Sequence, residues 1–311
     1  MPRFTLRQLE YFVAVGETGS ISRASQKLSV SSPSISSAIT QLESHFGIPL
    51  FVRQHAQGLA LTSGGRRVLE QAHRVLAEAH VLTDIASDVS TTARGALTIG
   101  CFVTFAQLVL PRLRREFVAD FPEIQVNQCE MDQAALFDAL RRSDIDVALT
   151  YDMDIPADLQ FSGLVRLRPF ALFDPQHPLA DRETVSLPEL ADWPMVLMDL
   201  PISTEYFLSL FDAHGVRPNI AERTRDMAVM RSMVGNGFGY SIATVRPRSD
   251  MSPDGQMIRS VPISGDVRSL RMGLLTAQNA DQSRNIRAFI EFGKAQVQKG
   301  AFAAIGGEAL R

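Results

Sequence analysis

Apolar residues recur at helical spacing through the first fifty positions. Leu6, Leu9, Phe12 and Val13 share one face of a helix expected over residues 5–16. Gly19 interrupts the pattern, and Ser20 is placed to cap a second helix with Ile21, Ala24 and Leu28 on one side. A residue as small as Ala24 lets another helix approach closely. After a turn at Ser29-Val30-Ser31, a third helix is expected, with Ser32 as N-cap and Pro33 at the first helical position, where a missing N–H costs nothing. Ile35, Ile39, Leu42 and Phe46 form its apolar stripe, while Ser34, Ser37, Thr40, Gln41 and Ser44 make a polar face of small or neutral groups. Two helices about a short turn can set the second one into the major groove of DNA. Short hydroxyls then allow close approach to phosphates and contact with base edges. The periodicity alone fits a three-helix bundle with a solvated face equally well. Two short extended runs, one ending at Arg53 and one at 59–61, are joined by a polar turn containing Gly58. They predict a small hairpin with Arg53 at its base, suited to a phosphate.

From Ser63 to about Ser90 no proline intervenes. Val68, Ala72, Val75, Ala79, Leu82, Ala86 and Val89 alternate at spacings of four and three, a coiled-coil seam about 32 Å long. So narrow a stripe predicts pairing with a second helix, with an intramolecular core helix as the other reading. Beyond Thr92-Ala93-Arg94-Gly95 the pattern changes to alternating strands and helices: strand 96–101, helix 105–117, strand 124–129, helix 133–142 and strand 146–150. A second block holds strands at 170–173, 195–198 and 240–245, with helices at 203–214 and 227–234. A strand at 269–277 and a helix at 282–298 follow, and residues 300–311 are small and polar enough to be expected mobile. This alternation predicts an α/β fold with a parallel sheet.

Charge sharpens the division. The net charge is −3, yet residues 1–75 hold eight Lys/Arg against four Glu, a basic head of +4 on a body of −7. No run approaches 18 apolar residues and the opening residues lack the apolar core of a signal peptide, so a cytoplasmic protein with no membrane contact is expected. Two cysteines, Cys101 and Cys129, cannot make a disulfide framework. The six histidines show no metal-ligand spacing, and neither a phosphate-binding loop nor a dinucleotide fingerprint is present. An enzyme is therefore disfavoured, and no cofactor or metal is expected.

Leu9-Glu10-Tyr11-Phe12, Gly19-Ser20, Ala24-Ser25-Gln26-Lys27-Leu28, Pro33-Ser34-Ile35-Ser36, Ile39, Leu42-Glu43, Phe46-Gly47, Leu50-Phe51 and Leu61-Thr62 resemble the LysR-type transcriptional regulators. The likeness is dense over residues 4–65 and looser to about residue 290. It implies a winged helix-turn-helix over 1–62, a dimerisation helix over 63–91 and an effector domain over 92–311. That last part resembles periplasmic solute-binding proteins, with subdomains at about 93–163 plus 268–300 and at 164–267. The implied DNA contacts are Ser32, Pro33, Ser34, Ser36, Ser37, Thr40 and Arg53. Three departures stand out: Ser32 replaces the usual Gln, Ser37 replaces a common basic residue, and the wing is polar at Gln54, His55 and Gln57. Fewer phosphate contacts and a shallower salt dependence are expected.

Ligands of such folds sit at strand C-termini and helix N-termini. That rule, with the resemblance, selects Phe102, Thr104, Gln133, Tyr151, Ser203, Thr204 and Met227, with Thr104 and Ser203 where the family holds a carboxylate. No arginine is among them, which favours a monocarboxylate or neutral effector. The partners implied are double-stranded DNA of partial dyad symmetry, a small-molecule effector, a second copy in a homodimer or homotetramer, and RNA polymerase if the protein activates. A redox-responsive regulator using Cys101 and Cys129 is the alternative, although peroxide-sensing members place their cysteines in the second subdomain.

Overall fold

The computed structural model describes residues 4–54, 58–87, 93–278, 280 and 283–310. They form two compact units, one of residues 1–91 with 141–144 and one of 92–140 with 145–311.

The first unit opens with α1 (Leu6–Thr18), whose N-terminus is closed by Thr5 and Gln8 in a reciprocal capping box. Gly19 ends it at φ 63°, a left-handed conformation that glycine adopts without strain. Ser20 caps α2 (Ile21–Leu28). The cap of α3 (Ser32–Phe46) is Ser31, not Ser32: Ser31 holds the extended backbone and accepts from the Ser34 N–H. Ser32 and Pro33 thus occupy the first two helical positions. The hairpin pairs β1 (Phe51–Gln54) with β2 (Gly58–Leu61), Phe51 opposite Leu61. Then α4 runs over Ser63–Ser87. Phe12, Val15, Ala24, Ile35, Leu42 and Leu50 are fully buried. A Cβ on Gly65 would lie 2.1 Å from the Leu50 carbonyl oxygen, so this glycine lets α4 start directly against the hairpin.

In the second unit, β3 (Gly95–Phe102) runs parallel to β4 (Ile124–Met131) and β5 (Val147–Tyr151). The sheet is mixed rather than wholly parallel. β12 (Leu270–Ala277) is antiparallel to both β5 and β6 (Leu159–Leu167), and with β13 (Gly307–Ala309) the order is β13-β6-β12-β5-β3-β4. The expected helix at 105–117 is two helices, α5 (Val103–Leu108) and α6 (Leu110–Asp120), broken at Val109. Pro111 has no N–H to return to the preceding turn and disfavours helical backbone before it. α7 (Gln133–Arg142) connects β4 to β5.

The other half contains β7 (Phe170–Phe173), α8 (Leu187–Ala191), β8 (Pro194–Met198), α9 (Ser203–Asp212), β9 (Asn219–Thr224), α10 (Met227–Gly235), β10 (Ser241–Ala243) and β11 (Arg259–Pro262). Here β8 and β9 are parallel, β10-β7-β11 is antiparallel, and a Met195–Tyr240 bridge joins the two sheets. α11 (Arg284–Gln298) returns to the first sheet. The segment expected to be mobile is placed. A 3₁₀ turn (Ala303–Ile305) leads into β13 (Gly307–Ala309), which pairs with β6, because Phe302 and Ile305 are buried to 4% and 7%.

Candidate DNA interface and effector cavity

Four residues of α3, Ile35, Ala38, Ile39 and Leu42, turn into the core and fix which face is left outside. Pro33, Ser34, Ser36, Ser37 and Thr40 are exposed, and Ser32 is half-buried. The outer hydroxyls are partly organised already. Ser34 Oγ lies 2.7 Å from Ser31 Oγ, and Thr40 Oγ1 donates to the Ser36 carbonyl at 3.0 Å. Gln41, on the polar face but not among the expected contacts, accepts from Gln8 Nε2 at 2.7 Å and donates to Ser37 Oγ. Its amide is therefore presented in a fixed orientation. No acidic residue occupies the first turn of α3, so its partial positive charge is uncompensated by side chains. Arg53 is exposed on β1, opposite Leu59. His55 and Gln57 lie outside the described residues.

The seam of α4 is only partly outward. Ala72, only 3% exposed, lies in one cluster with Leu9, Phe12, Leu42 and Leu50, and Val68 and Val75 pack against that cluster. The stripe read as a dimer seam is at this end the face that anchors α4 to the winged helix, so Ala72 is not available to a partner. Ala79 is half-buried. The side chains of Leu82 and Ala86, and all of Val89, lie outside what is described.

In the second unit Phe102, Thr104, Tyr151, Ser203 and Met227 line one cavity, as the chain-end rule expects. Met153, Met198, Met230, Tyr206, Phe207 and Thr244 complete much of its wall. The space open to the centres of water molecules is about 40 Å³, room for roughly three waters. Among the described residues no Lys, Arg, His, Asp or Glu lines it. Tyr151 Oη lies 2.8 Å from Thr244 Oγ1, and burial raises the phenol pKa, so it stays neutral. Tyr206 donates to the Arg268 carbonyl at 2.8 Å and is likewise held neutral by burial.

Ser203 differs from these. It is 5% exposed, stands at the first position of α9, and its Oγ has no hydrogen-bond partner among the described residues. The preceding Ile202 supplies no side-chain cap and sits at φ 68°. For a β-branched residue that conformation costs about 1–3 kcal/mol, and such strain concentrates at functional sites. The combination is an unmet donor at a helix N-terminus facing an uncharged cavity.

Two of the selected residues, Gln133 and Thr204, do not line this cavity. Gln133 is fully buried, but its amide donates to the Tyr151 and Met153 carbonyls at 2.9 and 3.1 Å and accepts from Thr150 Oγ1. Its polar atoms are consumed in bracing the end of β5. Thr204 turns away as well, its hydroxyl contacting Asp199 Oδ1 and the Leu200 carbonyl, each at 3.1 Å. Met153, Met198 and Thr244 were missed by the sequence reading. Met198, at the end of β8, and Thr244, directly after β10, carry the same chain-end signal; Met153 does not.

The cysteines stand on adjacent strands but not together. Cys101 is opposite Glu130 and Cys129 opposite Gly100, so the thiols leave the sheet on opposite faces. Burial, with Glu130 adding to it, raises the Cys101 thiol pKa well above its ordinary value.

Residues 6–66 match the family described as "Bacterial regulatory helix-turn-helix protein, lysR family", and residues 90–298 match "LysR substrate binding domain". The chain is 34% identical to HinK, a LysR family transcriptional regulator from Pseudomonas aeruginosa, over 94% of this chain and 99% of that one, with a TM-score of 0.63. It is 26% identical to the transcriptional activator protein LysR of Escherichia coli, over 85% of each chain. Full-length OxyR C199D from Pseudomonas aeruginosa shares the fold at a TM-score of 0.78 and 19% identity, covering 99% of both chains. Among the described residues no helix is long and apolar enough to cross a membrane.

Proposed function

The chain belongs to the LysR family of DNA-binding transcriptional regulators, and we propose that its effector is a small organic monocarboxylate, or a neutral metabolite of similar size, held in the cavity between Phe102 and Ser203. The observation that carries this reading is Ser203 Oγ, buried and unpartnered at the start of α9. A carboxylate oxygen there accepts the hydroxyl proton and meets the positive end of the helix. Thr104 stands on the cavity wall as a second hydroxyl, and Tyr151 and Thr244 as a third and fourth. Neutral donors can satisfy one negative charge; two would need a cation the cavity does not supply. The methionines, with three rotatable bonds each, make room for an apolar body larger than the 40 Å³ of the present cavity.

LysR regulators bind DNA and small-molecule effectors and form oligomers. In this protein α3 enters the major groove with Pro33, Ser34, Ser36, Ser37 and Thr40 outward, Ser32 flanks the helix start, and Arg53 contacts a phosphate. The remaining seam positions of α4 pair two chains, so the operator carries partial dyad symmetry. A tetramer, and contact with RNA polymerase if the protein activates, extend the same scheme. The effector acts by binding one arrangement of the effector domain more tightly than another; that difference in affinity, and not tight binding as such, is what reaches the DNA.

The test is the melting temperature of the purified protein against a panel of aliphatic acids, aromatic acids and neutral metabolites. A ligand at a hundred times its Kd adds about 2.7 kcal/mol. A monocarboxylate or neutral hit lost in the Thr104→Val/Ser203→Ala double variant is expected. A hit that is a dianion, or that survives both changes, contradicts the assignment.

A further inference from the structure

The LysR effector-domain match ends at residue 298, yet the chain from 299 to 310 is built into the fold. What it touches is specific. β6 and β12 are the strands that connect the two halves of the effector domain, and they meet at Leu167 opposite Leu270. β13 places Gly307 opposite Leu167 on the other edge, so Gly307, Leu167 and Leu270 form one row across three strands. Leu270 lines the cavity. Independently, the Ile305 carbonyl accepts from the Arg246 N–H at 3.1 Å, and the neighbouring Val245 also lines the cavity.

We infer that residues 299–310 are a strap across the hinge of the effector domain, holding the crossing strands and the 244–246 segment together and so limiting how far the effector cavity opens. The segment is anchored on one half by α11, from which it continues, and by buried Phe302. It grips the other half through Arg246. A hinge made of two strands bends at its paired residues; a third strand in the same row stiffens it. The fit at Gly307 is tight, since a Cβ there would lie 2.8 Å from the Phe302 carbonyl oxygen and 3.1 Å from Val165. The inference rests on the reading of the cavity as the effector site only for its regulatory meaning; the mechanical claim is separable from it.

The experiment compares the full-length protein with Gly307→Val, which displaces the strap by steric conflict, and with a chain ending at Gly300. Glu308→Ala, an exposed position whose Arg168 partner is 3.7 Å away, is the control. Hydrogen exchange is followed by mass spectrometry at the first turn of α9, around Ser203, and at α7. Both strap variants are expected to exchange at least tenfold faster in the α9 turn, with α7 unchanged and Glu308→Ala like the parent. Faster exchange confined to Val165–Leu167 and Arg246 overturns the strap, since the segment would then protect only what it touches. Loss of protection in α7 overturns it too, since the segment would then be ordinary structure. Benzoate, phenylacetate and hexanoate are tested on the same proteins. If none shifts melting while the α9 turn still loosens, the strap stands and the monocarboxylate reading loses its support.

Discussion

Replacing Ser203 by alanine is expected to move stability and ligand response in opposite directions. Ser203 is 5% exposed, and its hydroxyl has no hydrogen-bond partner among the described residues. Leaving such a group buried costs about 1–3 kcal/mol, so removing it stabilises the fold by up to that amount. For a unit of this size about 1 kcal/mol corresponds to a rise in melting temperature of roughly 2–4 °C. When a carboxylate is bound, the same hydroxyl makes a hydrogen bond to a charged acceptor, contributing about 1.5–3 kcal/mol. Ser203→Ala should therefore bind the effector roughly 10- to 150-fold more weakly. Both quantities come from one assay, differential scanning fluorimetry with and without the panel hit, cross-checked by isothermal titration. A variant that melts lower than the parent while keeping its ligand affinity would refute the reasoning at both ends.

Gln133→Leu should lower stability by about 2–4 kcal/mol in urea unfolding, because it strands the Tyr151 and Met153 carbonyls and the Thr150 hydroxyl. Arg53→Ala should weaken operator binding and reduce the slope of log affinity against log salt by about 1, measured by fluorescence anisotropy; an unchanged slope removes Arg53 from the DNA contact. Cys101→Ser should leave any response to peroxide as it is in the parent, since the thiol is held protonated by burial and Cys129 faces the other way. A raised thiol pKa in the folded state means that, above the ordinary thiol value, the unfolded chain holds fewer protons than the folded one. Stability should then fall as the pH rises past that value, a loss that Cys101→Ser reduces in pH-dependent unfolding while the part due to buried Tyr151, Tyr206 and Tyr240 remains.

The winged helix was legible because its signals are local. Apolar stripes, serine caps and glycine stops each act within four residues, and tertiary packing agreed with them. Even so, adjacent serines misplaced the cap of α3 by one residue, since backbone angles and not residue type distinguish Ser31 from Ser32. At α4 the four-three spacing places Val68, Ala72 and Val75 on one face, but that face packs on the winged helix. A four-three repeat does not say whether a partner chain or α1 covers Ala72.

In the effector domain the chain-end rule found Thr104, Tyr151, Ser203 and Met227, because strand C-termini gather at one edge whatever the side chains. Gln133 and Thr204 obey it in sequence but do not line the cavity, their polar atoms turning to neighbouring carbonyls and a carboxylate. Thr244 directly follows β10 and so obeys the rule, whereas Met153, two residues past β5, reaches the cavity only through the fold. β13 was hidden for the same reason. Its three residues show no alternation, and their partner strand lies some 140 positions earlier.

The most direct test of the account is a footprint of the full-length protein on an operator selected from genomic fragments, taken with and without the effector found by the melting panel. The account predicts that the effector changes the affinity or the length of the protected DNA for the parent, and that Thr104→Val/Ser203→Ala gives the unliganded footprint under both conditions. An effector that binds and stabilises the protein while leaving affinity and footprint identical would contradict it, because the cavity would then not be coupled to DNA.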